Sequence, residues 1–147
     1  MNTLQNRRTT LTYRVVTSTI KGLVRILCRI DDAQMARVPD RGPLIMVANH
    51  INFLEVPILY THMHPRLMTG FAKAEAWRNP FFRFMGNLWG AIPLRRGETD
   101  MGAFRKALAA LKEDYILPLA PEGTRSGDGR LQPGRSGVVL LALRSGL

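Results

Sequence analysis

Apolar positions follow two rhythms along this chain. From Pro43 to Asn49 (PLIMVAN) they run almost unbroken, which reads as a buried strand. Three similar runs follow, RLMTGFA (66–72), AIPL (91–94) and YILPLA (115–120). Between them the spacing lengthens to three and four. TDMGAFRKALAALKED (99–114) predicts the clearest helix, with Thr99 or Asp100 as cap and Phe104, Leu108 and Leu111 on one face. NFLEVPILYTHM reads as a helix in which Pro57 is tolerated only near the first turn. Short helical pieces are expected through NPFFRFMGNLWG, and VVLLALRSG closes as a helix capped by Gly146. Strands alternating with helices predict an α/β domain, a mixed, mostly parallel sheet flanked by helices. In such a fold another strand is due after Gly146, so the chain is expected to be a C-terminally incomplete piece of a longer protein.

The N-terminal segment has a different pattern. Ile20, Leu23, Val24, Leu27 and Ile30 recur at helical spacing, while Lys21, Arg25 and Arg29 fall four apart. With Arg7, Arg8 and Arg14, residues 1–30 carry six cations and no acidic residue. An apolar stripe beside a basic one suits the headgroup region of an anionic bilayer, and equally a surface helix packing on its own core. The absence of acids favours the bilayer. We therefore divide the chain into a basic amphipathic, membrane-facing helical segment (1–35) and the domain proper (36–147), joined by the turn-rich DDAQMARVPDRG.

Composition narrows the partner. The 147 residues suffice for one domain with a sizeable core, and 46% hydrophobic content is ordinary. A formal net charge of +10 is not, and it points to an anionic partner: nucleic acid, a membrane surface or a phosphorylated substrate. The single Cys28 excludes an internal disulfide. No apolar run approaches the roughly 18 residues of a membrane span, and no signal-peptide pattern opens the chain. A location on the cytoplasmic face of the membrane, peripheral to it, is the expectation.

Three predicted strands end in loops that carry chemistry. The first leads into VANHINFLEVPIL, where His50 and Glu55 interrupt an apolar run. Five residues along a helix is about 500°, so the two would not share a face if both were helical. They meet only if His50 precedes the helix and Glu55 points back from its second turn. A carboxylate could then hold one imidazole nitrogen and leave the other as a general base. GAIPLRRG offers Arg95 and Arg96, and APEGTRSGDG offers Glu122 and Arg125, each among glycines that let backbone N–H groups approach an anion. A parallel sheet would bring all three loops to one edge.

Rival chemistries find less support. A serine hydrolase needs G-x-S-x-G, and GRSGV (134–138) fails it. His62 and His64 lack a third metal ligand nearby, so no metal site is expected. Neither a P-loop nor G-x-G-x-x-G is present. Trp77, Phe81, Phe82, Phe84 and Trp89 cluster with only Arg78 and Arg83 among them, which fits core or membrane contact better than a base-stacking platform. Nucleic acid is therefore not the expected partner.

NHINFLE, GAIPLRRG and PEGTRS, in that order, resemble the first three of four sequence blocks of the glycerolipid acyltransferase superfamily, typified by 1-acylglycerol-3-phosphate O-acyltransferases. The resemblance runs from about Pro43 to the end of the chain. It implies that His50 is the catalytic base and Glu55, where the family usually has Asp, the carboxylate that orients it. Arg96, helped by Arg95, then holds the phosphate of a lysophospholipid acceptor, with Glu122, Gly123, Thr124 and Arg125 completing the acceptor site. Ala120 stands where an aromatic residue usually precedes the proline. The donor would be acyl-CoA or acyl-carrier protein, a cosubstrate, with no bound cofactor. The fourth block, an apolar strand with a proline, would begin beyond Leu147. The alternatives are a catalytically impaired basic membrane-binding module or, least favoured, a nucleic-acid-binding domain.

Overall fold

The apolar runs form four short strands, β1 (Leu44–Val47), β2 (Phe71–Lys73), β3 (Ile92–Leu94) and β4 (Ile116–Leu119), in a computed structural model that describes residues 10–95 and 100–147. β1 pairs in parallel with β4, Leu44 opposite Ile116 and Val47 opposite Leu119. β2 pairs in parallel with β3, Phe71 opposite Ile92 and Lys73 opposite Leu94. Just before β2, Met68 bridges Ile116, also in parallel, with the Thr69 N–H on the Ile116 carbonyl at 3.0 Å. The segment expected as a strand over 66–72 therefore serves two neighbours. Its start lies along β4, and its end turns to β3. Every strand pairing among the described residues is parallel, which places the C-terminal ends of the strands at one edge.

Helices cover both faces, and the alternation along the strands explains why. Leu44, Met46 and Ile116 point to one side. There α1 (Leu11–Leu27), α2 (Glu55–His62) and α3 (Pro80–Trp89) supply Tyr13, Tyr60, Met85 and Trp89, joined by Met63 at the C-terminal cap of α2. Ile45, Leu117 and Leu119 point to the other side, against α4 (Met101–Leu111) and α5 (Ser136–Ser145). The first layer is pinned by the Tyr60 and Trp89 rings, stacked 4.9 Å apart, and by the Trp89 indole donating to the Thr17 hydroxyl at 3.4 Å.

Local signals set the helix ends. Asn79 accepts from the Phe81 and Phe82 N–H groups ahead of α3, Pro80 occupies its first position, and Gly90 ends it at φ 70°. Asp100 caps α4 through the Ala103 N–H at 2.9 Å, and Thr99, the other candidate, lies outside the described residues. Phe104, Leu108 and Leu111 pack on one core cluster as expected, and alanines join them there. Ala103, Ala107, Ala110 and Leu111 are buried, while Phe104 and Leu108 are only half-buried. Small side chains let α4 lie close on the sheet and displace the larger ones to its flank.

α1 divides its apolar residues between two surfaces. Tyr13, Val16, Thr17, Ile20 and Val24 face the core, whereas Leu11, Val15, Leu23, Ile26 and Leu27 are exposed. The single stripe expected from Ile20 to Ile30 is thus split, with Leu23 and Leu27 pointing outward and Ile30 beyond the helix end. Tyr13 and Thr17 set the buried line, and successive residues turn about 100°, so Leu23 and Leu27 swing off it. Arg14, Lys21 and Arg25 lie between the two surfaces on the other flank. The described part of the segment is therefore packed on the core and still presents an apolar, basic exterior.

Beyond β1, on the side away from β4, an apolar groove of about 490 Å³ is lined by Ile45, Val47, Val138, Val139, Leu143 and Leu147 among others. Neither His50 nor Glu55 lines it.

Candidate active site

β1 ends at Val47, and the chain leaves the sheet edge through Ala48 and Asn49 to reach His50 in a loop. Glu55 is the first residue of α2, not a residue of its second turn as the spacing suggested. It reaches back because its carboxylate finds three donors there. Oε1 accepts the Ile51 and Asn52 N–H groups at 2.9 and 3.0 Å, and Oε2 lies 2.5 Å from His50 Nδ1. Asn52 in turn accepts the Leu54 N–H at 2.7 Å, closing the turn into the helix. The position at the helix N-terminus also suits a negative charge.

These contacts fix the ionisation of Glu55. Partial burial opposes the charge, but the His50 hydrogen bond and the Asn52 and Ile51 N–H groups together outweigh it and hold the carboxyl below its ordinary value. An ionised Glu55 accepts from Nδ1–H, which leaves Nε2 with its lone pair. Nε2 makes no hydrogen bond among the described residues, and about a quarter of the His50 side chain is exposed. The imidazole is anchored at one nitrogen and available at the other.

The third loop is tied to the first. Ser126 donates its N–H to the His50 carbonyl at 2.7 Å. Ser126 is itself buried, its hydroxyl on Asp128, which also accepts the Arg130 N–H. The Arg130 N–H and the Ser126 hydroxyl hold the Asp128 carboxyl below its usual range. Upstream, Glu122 is 95% buried in a different way: it is 5% exposed, and its Oε2 has no hydrogen-bond partner among the described residues. Gly123 turns the chain at φ 68°, and Thr124 and Arg125 are exposed.

The second loop contributes Arg95, exposed beyond the end of β3, with its N–H on Asp100 Oδ2 at 3.3 Å. The Ala103 and Arg95 N–H groups hold Asp100 low in pKa, so one carboxylate closes the loop and caps α4. Arg96 lies outside the described residues. The structure thus brings His50, Glu55, Arg95 and the 122–125 turn to one sheet edge. Lys73 escaped the sequence reading and belongs there too, since it ends β2 opposite Leu94, next to Arg95. A lysine closing an apolar strand run was the available signal.

The family described as Acyltransferase matches residues 29–147. The chain belongs to this acyltransferase family. Over 108 residues it is 28% identical to the 1-acyl-sn-glycerol-3-phosphate acyltransferase BAT2, chloroplastic, of Brassica napus, covering 71% of this chain and 30% of that protein. A 1-acyl-sn-glycerol-3-phosphate acyltransferase of Limnanthes alba is 32% identical over 106 residues, covering 70% and 37%. One from Borreliella burgdorferi is 25% identical over 111 residues, covering 74% and 44%. The chain therefore spans between 30% and 44% of the length of these relatives. The crystal structure of the 1-acyl-sn-glycerophosphate (LPA) acyltransferase PlsC from Thermotoga maritima shares the fold, with a TM-score of 0.71 at 20% identity over 98% of this chain and 61% of that one. Among the described residues, no helix is long and apolar enough to cross a membrane.

Proposed function

We propose that this acyltransferase moves a fatty acyl group from a thioester, acyl-CoA or acyl-carrier protein, to the free 2-hydroxyl of a 1-acylglycerol-3-phosphate. The observation that carries the reading is the His50–Glu55 contact at 2.5 Å, with Nε2 unengaged at the strand ends. His50 Nε2 takes the proton of the acceptor hydroxyl as its oxygen attacks the thioester carbonyl. The tetrahedral intermediate then collapses, the C–S bond breaks, and the imidazolium returns the proton to the leaving thiolate. The products are a diacyl phosphate and a free thiol, with no covalent acyl-enzyme. Glu55 positions the ring and balances its transient positive charge.

Acceptor recognition falls to the remaining loops. Arg95, Arg96 and Arg125 supply cations for the phosphate, and guanidinium forks pair with it through parallel hydrogen bonds. The unpaired Glu122 Oε2 is suited to accept from a hydroxyl of the glycerol, because a buried acceptor without a donor costs free energy. Gly123 and Thr124 complete the turn. No metal or bound cofactor takes part. The exposed apolar residues of α1, flanked by Arg14, Lys21 and Arg25, support peripheral attachment to an anionic bilayer on its cytoplasmic face, where the acceptor resides.

The test is a mass-spectrometric transfer assay with liposomes, mixed lysophospholipids and an acyl-CoA. The native chain should yield phosphatidic acid, and His50→Ala should lose about 10²–10⁴-fold in rate. Full activity in a folded His50→Ala variant would refute the base assignment.

A further inference from the structure

We propose that Arg135, thirteen positions beyond Glu122, is a positioning residue that aims the Glu122 carboxylate and thereby sets acceptor affinity. The inference rests on the acceptor-binding reading of Glu122. Arg135 grips both peptide units that flank the Glu122 Cα. Its backbone N–H donates to the Pro121 carbonyl at 2.8 Å, and its side-chain Nε donates to the Glu122 carbonyl at 3.2 Å. With a hydrogen bond on each of the two planes that flank one Cα, the backbone torsions of that residue are restrained, and with them the direction of its Cα–Cβ bond, from which the carboxylate extends. The residue so fixed is the buried glutamate whose Oε2 lacks a partner.

Gly123 shows how closely the brace fits. A Cβ there would stand 3.1 Å from both Cδ and Nε of Arg135, tighter than ordinary packing allows, besides the strain of φ 68°. The glycine therefore makes room for the arginine as well as for the turn. Arg135 also ends the loop, since α5 begins at the next residue. A rigid helix start thus carries the brace, and the Glu122–Gly123 turn is held from outside the PEGTRS block.

Lysine cannot replace this function. It keeps the backbone N–H and the charge, but it has a methylene where Nε donates. Arg135→Lys and Arg135→Ala should therefore behave alike, each raising the KM for lysophosphatidic acid about tenfold, consistent with a lost hydrogen bond from a charged group. The KM for acyl-CoA should not move. In a Glu122→Ala background, which leaves no acceptor to aim, neither change should add to the loss, because the brace acts through that side chain. Equilibrium binding of radiolabelled lysophosphatidic acid without donor supplies a readout free of turnover. Binding that depends on Arg135 in a chain without transfer activity would refute the acyl-transfer reading and leave the brace standing. Wild-type affinity in Arg135→Lys, equal increases in both KM values, additivity with Glu122→Ala, or a native chain that binds no lysophosphatidic acid would overturn the proposal.

Discussion

Ser126 donates its backbone N–H to the carbonyl of His50 at 2.7 Å, so the loop that carries Glu122 and Arg125 hangs from the residue whose ring is the proposed base. A further anchor, within the loop, is Asp128, which takes the Ser126 hydroxyl at 3.0 Å and the Arg130 N–H at 3.1 Å. Acceptor-binding groups and base are thereby held in one frame. Asp128→Ala removes that anchor without touching the dyad. Since a displacement of about 1 Å can cost roughly a hundredfold in rate, partial loosening should lower kcat about tenfold. Steady-state kinetics on the folded variant checks this, and an unchanged kcat would show that the Ser126–His50 bond alone suffices.

Glu55 makes a second case for geometry over residue type. Its longer side chain spans from the first position of α2 to the Ile51 and Asn52 N–H groups and still reaches Nδ1. Glu55→Asp shortens the arm by one methylene while the backbone stays put. The aspartate cannot serve all three donors, so kcat should fall about ten- to a hundredfold, although Asp is the residue usual in the resembling blocks. Glu55→Gln keeps the length and the acceptor oxygen but loses the charge, and should also be impaired. If Glu55→Asp turns over as fast as the native chain, the loop adapts and this account of the arm is wrong.

What could be read in advance follows from how local each signal is. The four strands and the helices announced themselves because unbroken apolar runs and three-to-four spacing are local. The meeting of His50 and Glu55 was foreseeable in outline, since both lie in one short segment. Its form was not, because nothing local says that a carboxylate at the first helical position will turn back to two N–H groups. Non-local facts stayed hidden. The two-sided use of 66–73, the alanine face of α4 and the division of α1 all depend on which surface arrives from elsewhere in the fold. Arg135 was invisible for the same reason: its importance lies in two carbonyls of another loop.

Stability should fall on the acid side in a way these contacts dictate. Glu55, Asp100 and Asp128 all have carboxyls held below their ordinary values of 4.5, 3.8 and 3.8. Such a group stabilises the fold above its unfolded pKa, and that contribution is lost as the pH falls through the lower, folded value. Urea midpoints should be level above about pH 5 and decline below it. Glu55→Gln should flatten part of the decline. A midpoint that rises on acidification would contradict the sign.

The outer surface of α1 yields a prediction about where the chain works. Ile26 is 81% exposed and Leu27 78%, with Leu23 and Val15 also outward and Arg25 beside them. The core contacts of the helix come from Tyr13, Val16, Ile20 and Val24, so the outer residues can change without loss of packing. Ile26→Ser with Leu27→Ser should weaken cosedimentation with all vesicles by removing insertable apolar area. Lys21→Gln with Arg25→Gln should weaken binding to anionic vesicles only, at about 1 kcal/mol or fivefold per cation, and added salt should erase the difference. Arg25 also contacts Asp32 at 3.4 Å, an exposed pair whose loss should leave the melting temperature nearly unchanged. If neither double variant alters vesicle binding while both fold normally, the bilayer contact lies on another face, and the exposed phenylalanines of α3, Phe81, Phe82 and Phe84, become the next surface to test.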